Sequence, residues 1–275
     1  MAVNLASSFP VAPPRPLPNY PTTGGLATAS ASGASTINTE PPKFAVASVA
    51  LYWQQCGDAT LIHITANRGN NNALTTEFLS EVEPAMYHGS EGDVVRSSAI
   101  HLLHPVNQAL SLWTNNGVFC QSEATANGIR GDITYYRGTR AFAVVEFKKR
   151  GVIKPAEFTA AIKTITAATT EATLVSQAIS RANPENTFFD GDSTILMKQA
   201  SSYAINHRTR YVALFNWDAL ILCNFSRLNP AKSQQTLVID GIGNYCDIEV
   251  IPFTQSHRMR ISLLGFLAEA YNNTP

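Results

Sequence analysis

"GDITYYRGTRAFAVVEFKKRG", Gly131 to Gly151, is the stretch from which the fold is read. Two runs rich in strand formers, "GIRGDITYY" and "TRAFAVVEFK", meet at a tight turn around Arg137-Gly138 and predict a β-hairpin. Alternation along the second strand places Phe142, Val144, Glu146 and Lys148 on one face and Ala141, Ala143, Val145 and Phe147 on the other. Both faces begin apolar, as in an interior strand, where an unpaired charge costs several kcal/mol. Glu146 and Lys148 therefore need a reason to be there. Asp132, on the preceding strand, can converge on Glu146, and two carboxylates with a main-chain carbonyl form a hard oxygen site suited to magnesium. Lys148 would point at the same spot, where an ammonium can hold a water and offset charge on a scissile phosphate. The other reading is a structural Glu146–Lys148 pair at a strand end, with Asp132 a solvated turn residue.

Outward from the hairpin, "VFCQSE" predicts a third strand before it. Upstream, "KFAVASVALYW" fits helix and strand equally, "TLIHIT" reads as a short strand and "RGNNN" as a loop. Apolar spacing predicts a helix over 73–86, a loop at "HGSEGD", and a helix over 98–114 that turns Ile100, Leu103, Val106, Leu110 and Trp113 inward and is kinked or begun by Pro105. Downstream, Pro155 opens a long helix to about Ser180, and a shorter one spans 194–206. "RYVALF", "LILCNF" and "CDIEVIPF" are strands, and "RMRISLLGFLAEAY" is a closing helix. This order predicts one α/β domain on a central mixed sheet over 43–275.

In "MKQASSYAINH", Gln199 and Tyr203 are i, i+4 on one helix and present an amide and a phenol from one face. The succession of carboxylate hairpin, Glu146-Phe147-Lys148 strand, helix, and Gln199/Tyr203 helix leading into "RYVALF" resembles the PD-(D/E)XK nuclease superfamily, in particular its RecB and lambda-exonuclease-like branch. The segment "YVALFNWDALILCNF" also looks like stretches of uncharacterised fungal proteins with such a core. The resemblance covers about residues 73–225. It implies a restriction-endonuclease-like αβββαβ core with a central mixed sheet flanked by helices. It also implies Mg2+ or Mn2+ held by Asp132, Glu146 and the Phe147 carbonyl, Lys148 as the catalytic lysine, and Gln199 and Tyr203 as residues that orient substrate or water. Gly131 stands where the family often has proline. A further glutamate often comes from the family's first core helix; Glu81, nearest the apolar stripe of the 73–86 helix, is the expected one. The implied function is a metal-dependent nuclease hydrolysing phosphodiester bonds, with DNA as the expected partner. The alternative is a catalytically inactive nuclease-fold module that binds nucleic acid or a protein.

Composition bounds these expectations. Lys plus Arg equal Asp plus Glu at 20 each, so a polyanion partner would need a local basic patch. Between Arg130 and Lys163 eight basic residues face three acidic ones. Residues 1–42 hold eight of the fifteen prolines and two charges, which predicts a disordered tail. The four cysteines lack zinc-site spacing and read as reduced, mostly buried thiols of an intracellular protein, nuclear or cytoplasmic. No stretch approaches a membrane span, and His101, His104 and His207 read as surface or capping residues. The oligomeric state stays open, a homodimer included.

Overall fold

The computed structural model describes residues 3–14, 39–79, 88–181 and 183–274. Its framework is a seven-stranded mixed sheet in the order β1-β7-β6-β5-β4-β3-β2. The strands are β1 (Phe44–Ala47), β2 (Val118–Ala126), β3 (Ile129–Arg137), β4 (Arg140–Phe147), β5 (Tyr211–Phe215), β6 (Ala219–Asn224) and β7 (Tyr245–Pro252). β1 runs parallel to β7 and β4 parallel to β5, and the other neighbours are antiparallel. Helices flank both faces, and a helix (His104–Trp113), β2, β3, β4, further helices and β5 follow one another in the expected order.

Each face of the sheet has its own core. On one, Ala143, Val145 and Phe147 of β4 join Trp53, Val106, Leu110, Leu263 and Phe266. On the other, Val144 joins Phe158, Leu196, Met197 and Ala200. Phe142 departs from simple alternation and packs with the Ala143 group. Tyr135 pairs with Ala143 and Tyr136 with Ala141, so Phe142 is the extra residue of a β-bulge. The Thr209 hydroxyl donates to the displaced Phe142 carbonyl at 2.5 Å.

β1 resolves as a strand the first residues of "KFAVASVALYW", which fit helix and strand equally, and strands β2 to β7 and the closing helix (Met259–Asn272) lie where the sequence places them. Several helices do not. "TLIHIT" belongs to a helix, Tyr52–Ala66, with Thr60 and Ile64 buried one turn apart; a short apolar run satisfies both periods, and packing decides. "RGNNN" is the start of the Arg68–Thr76 helix, capped by the Asn67 side chain, and that helix ends before Glu77 instead of reaching 86. "HGSEGD" starts the Glu91–Ser98 helix through a capping box between Ser90 and Asp93. A π-turn, Ala99–Leu103, then leads into His104–Trp113, with Ile100 exposed rather than inward and Trp113 half-buried. Pro105 cannot donate to the His101 carbonyl, and the buried Arg260 guanidinium does so instead at 2.7 Å. The long helix expected from Pro155 is two, Pro155–Ala160 and Glu171–Ile179, and Gln234–Asp240 is a further helix that the sequence reading lacks.

The N-terminal expectation is overturned over residues 3–14, while 15–38 lie outside the described residues. Leu5 and Phe9 are fully buried in the first core. Leu5 N–H donates to Glu77 O, and Leu79 N–H donates to Val3 O. Arg260 also donates to Ser8 O at 2.7 Å and to Val11 O at 3.1 Å. Low average apolar content concealed two anchors and one buried cation that ties down three carbonyls; burial pushes that guanidinium's pKa down to about 10.

Candidate active site

The last regular β3–β4 pair is Ile133 with Val145. One residue further the strands part, and side chains replace the ladder. Asp132 Oδ2 accepts the Phe147 N–H at 2.8 Å, and Glu146 Oε2 accepts the Asp132 N–H at 3.3 Å. Two carboxylates thus stand across the opening, each tied to the backbone of the opposite strand. Gly131 permits the close approach: a Cβ there would lie 2.9 Å from Val144 Cγ1. A bulkier residue before Asp132 would push the strands apart.

Glu146 is 4% exposed. Its Oε1 accepts from Lys148 Nζ at 2.6 Å and from Tyr203 OH at 2.7 Å. Burial lifts its carboxyl to about 7; the Lys148 ammonium pulls it down and Asp132 pushes it up. Burial likewise raises Asp132, against the Phe147 N–H and Lys148. Burial alone would lower Lys148, but the Glu146 and Glu91 carboxylates outweigh it and hold the ammonium charged. Tyr203 is raised by burial and by the Glu146 charge, so it remains a phenol that donates.

Of the residues expected from sequence, the structure brings together Asp132, Glu146, Phe147, Lys148 and Tyr203. Gln199 is buried one turn before Tyr203 on the Asp192–Asn206 helix. Glu81 lies outside the described residues. The carboxylate found beside the cluster is Glu91, in the first turn of its helix, with Oε2 4.0 Å from Lys148 Nζ. Burial raises it, and Lys148 pulls it back. Its signal was legible as "SEGD", Ser90 and Asp93 three apart, which marks a helix start and would have shown Glu91 at its first turn.

The expected basic patch largely dissolves into internal pairs. Arg150 meets Asp218 at 2.8 Å, Lys154 meets Asp192 at 2.7 Å, and Arg130 lies 3.5 Å from Glu123. His101 and His207 are buried, not surface residues, and His104 pairs with Glu77 at 3.0 Å. Cys223 and Cys246 are buried, whereas Cys120 is exposed.

Among the described residues no group of three or more His, Cys, Asp and Glu closes a metal cage. The donors nevertheless suit a hard cation: Glu146 and Asp132 are carboxylates on two strands, both lifted by burial and short of positive charge on the opening between them. Among the described residues no helix is long and apolar enough to cross a membrane. Comparison with protein-family models, curated proteins and solved structures yields no match to this chain.

Proposed function

We propose that the chain is a metal-dependent phosphodiesterase of restriction-endonuclease-like architecture that cleaves nucleic acid, DNA by preference, at the opening between β3 and β4. The observation that carries this reading is the buried Glu146 carboxylate, bonded at one oxygen by Lys148 and Tyr203 and facing Asp132 across parted strands. A strand end that served only stability would do better with an apolar pair, because desolvating such charges usually outweighs their attraction. Magnesium or manganese would be held by Asp132, Glu146 and the Phe147 carbonyl, and would supply Lewis acidity towards a phosphoryl oxygen. Lys148 offers an ammonium fixed at the carboxylates, able to orient an attacking water and to offset charge that develops on the phosphate. Tyr203 holds Glu146 Oε1 in place, and Glu91 keeps Lys148 protonated from the other side.

The test is cleavage of plasmid and linear DNA by purified protein with magnesium or manganese, stopped by EDTA. Lys148→Ala should lower the rate about 10²-fold or more and leave affinity nearly unchanged, since its charge acts chiefly in the transition state. Cleavage that persists in Glu146→Ala would mark a contaminant and remove the assignment. One observation favours an inactive binding module instead: Lys148 Nζ already lies 2.6 Å from Glu146, so one carboxylate of the pair has an internal partner without a cation. Calorimetry showing no manganese binding at millimolar concentration would decide for that module.

A further inference from the structure

Trp217 stands where a large side chain is least expected. The β5–β6 connection is Asn216, Trp217 and Asp218, and its middle residue has φ 65°, the left-handed region that glycine or asparagine takes at little cost and a bulky residue takes only under strain. The ring is buried and packs edge-on to Phe215, with centroids 5.3 Å apart. Its Nε1 donates at 2.9 Å to the Oγ of Ser97, on the helix Glu91–Ser98. Ser97 Oγ also lies 2.7 Å from Nε2 of the fully buried His88, whose ring tilts against Trp217 at 5.5 Å. His88 and Ser97 flank Glu91, so the indole reaches both sides of the segment that carries this carboxylate.

The rest of the loop grips the chain beyond β4. Asp218 accepts from Arg150 Nη2 at 2.8 Å, from Arg150 Nε at 3.1 Å and from the Gly151 N–H at 2.7 Å, while Asn216 Nδ2 donates to Lys149 O at 3.4 Å. Asn216 Oδ1 accepts the Asp218 and Ala219 N–H groups and so fixes the turn itself. One short loop thus holds two separate pieces of chain, the Glu91–Ser98 helix and residues 149–151. Where they meet, Glu91 Oε2 stands 4.0 Å from Lys148 Nζ, and the Glu91 carboxylate accepts the Lys149 N–H.

We propose that Trp217 is a positioning residue: through Ser97 and His88 the β5–β6 loop sets Glu91 against Lys148, and thereby sets where the ammonium stands at the Asp132–Glu146 opening. The consequence for catalysis rests on the nuclease reading, whereas the placement of Glu91 does not. Glycine would serve the turn without strain, and phenylalanine would fill the same core space. The indole N–H is the part of the residue that only Ser97 uses. Lysine carries its charge on a flexible stem, and a displacement of about 1 Å at a reacting group can cost about 10²-fold in rate, so a carboxylate held beside the ammonium has a kinetic effect without touching substrate.

The test uses Trp217→Phe, which keeps the ring and removes the N–H, and Ser97→Ala, which removes the acceptor; the second carries the test alone where the first fails to fold. In hydrogen exchange of the full native chain, amides of residues 91–98 should exchange about tenfold faster in either variant, with those of the closing helix unchanged. In the magnesium cleavage assay each variant should lose about tenfold in kcat, with KM within about twofold of the parent. Made in a Glu91→Gln background, the same substitutions should change kcat less than about twofold, because their effect passes through Glu91. Phe9→Ala, which removes a core ring away from the opening, should leave kcat as it is and so separates positioning from lost stability. Unchanged exchange in 91–98 overturns the inference. An unchanged kcat, or equal losses with and without Glu91, also overturns it and leaves the nuclease reading standing. A parent that does not cleave, with 91–98 loosened in the variants, removes the nuclease reading and leaves the placement of Glu91 by the loop.

Discussion

The two ends of the molecule's energetics lie in one sheet. On the first core face, the Tyr52–Ala66 and Met259–Asn272 helices cross at glycine. A Cβ at Gly265 would lie 1.9 Å from Trp53 O, and one at Gly57 would lie 2.0 Å from Ile261 O. Backbone touches backbone there, and the helices are held by dispersion and excluded water. At the end of β3 and β4 the opposite holds: the strands separate, and the gap contains two carboxylates, an ammonium and a phenol. At the glycines the first arrangement has one good packing and no charge; the Glu269 carboxylate, one turn along, accepts from Trp53 Nε1 and Tyr52 OH across the same pair of helices. The second leaves carboxylates with raised pKa values next to an opening, an arrangement that stability alone does not select. The contrast separates residues that hold the fold from residues that are held by it.

The strongest way to break the comparison is at the helix crossing. Gly265→Val should abolish cooperative folding, because no rotamer relieves a clash with backbone on the facing helix. Gly69→Ala is the matched control: its Cβ would come no closer than 3.4 Å, to the Asn67 side chain, so its thermal midpoint should move by no more than about 1 kcal/mol allows. A well-folded Gly265→Val would show that the helices are less tightly apposed than described.

The next effect belongs to the N-terminal strap. Phe9 is buried beside Leu5, and its truncation to alanine should cost about 3–5 kcal/mol in urea unfolding. Removal of residues 1–14 should cost at least as much, since it also strips Arg260 of two carbonyl partners. An unchanged midpoint would mean that the strap is detached in solution.

The same contrast explains what could be read from sequence. Strands β2 to β7 and the Asp132, Glu146 and Lys148 cluster were legible because both depend on local alternation and short separations along the chain, whereas Tyr203, far along the chain from Glu146, entered only through the family resemblance. The helices between 52 and 98 were misplaced because their signals are caps and long-range packing, while the helix expected over 98–114 is found as Ala99–Leu103 and His104–Trp113 with Pro105 in the first turn of the second. Asn67 and Ser90 begin helices in stretches that composition alone marks as loops. Glu91 was missed for that reason, and the strap was missed because Leu5 and Phe9 pack into a distant core and the Ser8 and Val11 carbonyls meet Arg260, about 250 residues away. The bulge at Phe142 shows a limit of alternation itself, since one extra residue moved a ring to the other face.

A smaller effect should appear with pH. Glu146 titrates at about 7 in the fold and near 4.5 when unfolded, so between these values the folded state binds the additional proton. Its contribution to stability is therefore full below about 4.5 and is lost as pH rises through 7. His88, buried and pushed down to about 4, acts in the opposite direction: its contribution is present above about 6.5 and lost as pH falls towards 4. In metal-free protein, subtracting the urea midpoints of Glu146→Gln from those of the parent cancels His88. The difference should decline from pH 4.5 to 7, by at most about 1.4 kcal/mol per pH unit. Saturating manganese should flatten it, because the cation favours the carboxylate. A difference that rises with pH would show that Lys148 outweighs burial and that the Glu146 carboxyl is depressed.

The smallest expected effect is the most discriminating for chemistry. Lys149 adjoins Lys148 in sequence, and among the described residues it makes no ion pair, whereas Lys148 lies between Glu146 and Glu91. If the strand end simply gathers positive charge for a polyanion, the two lysines are interchangeable. If it places one ammonium against the reacting phosphate, only Lys148 matters. Lys149→Ala should then reduce cleavage by less than about threefold, through binding, and the loss should vanish as salt screens it. Lys148→Ala should lose its factor of about 10² in turnover at every salt concentration. Equal losses that both fade with salt would turn Lys148 from a positioned catalytic group into one more phosphate contact. The buried Glu146 would then have only a structural pair to explain it.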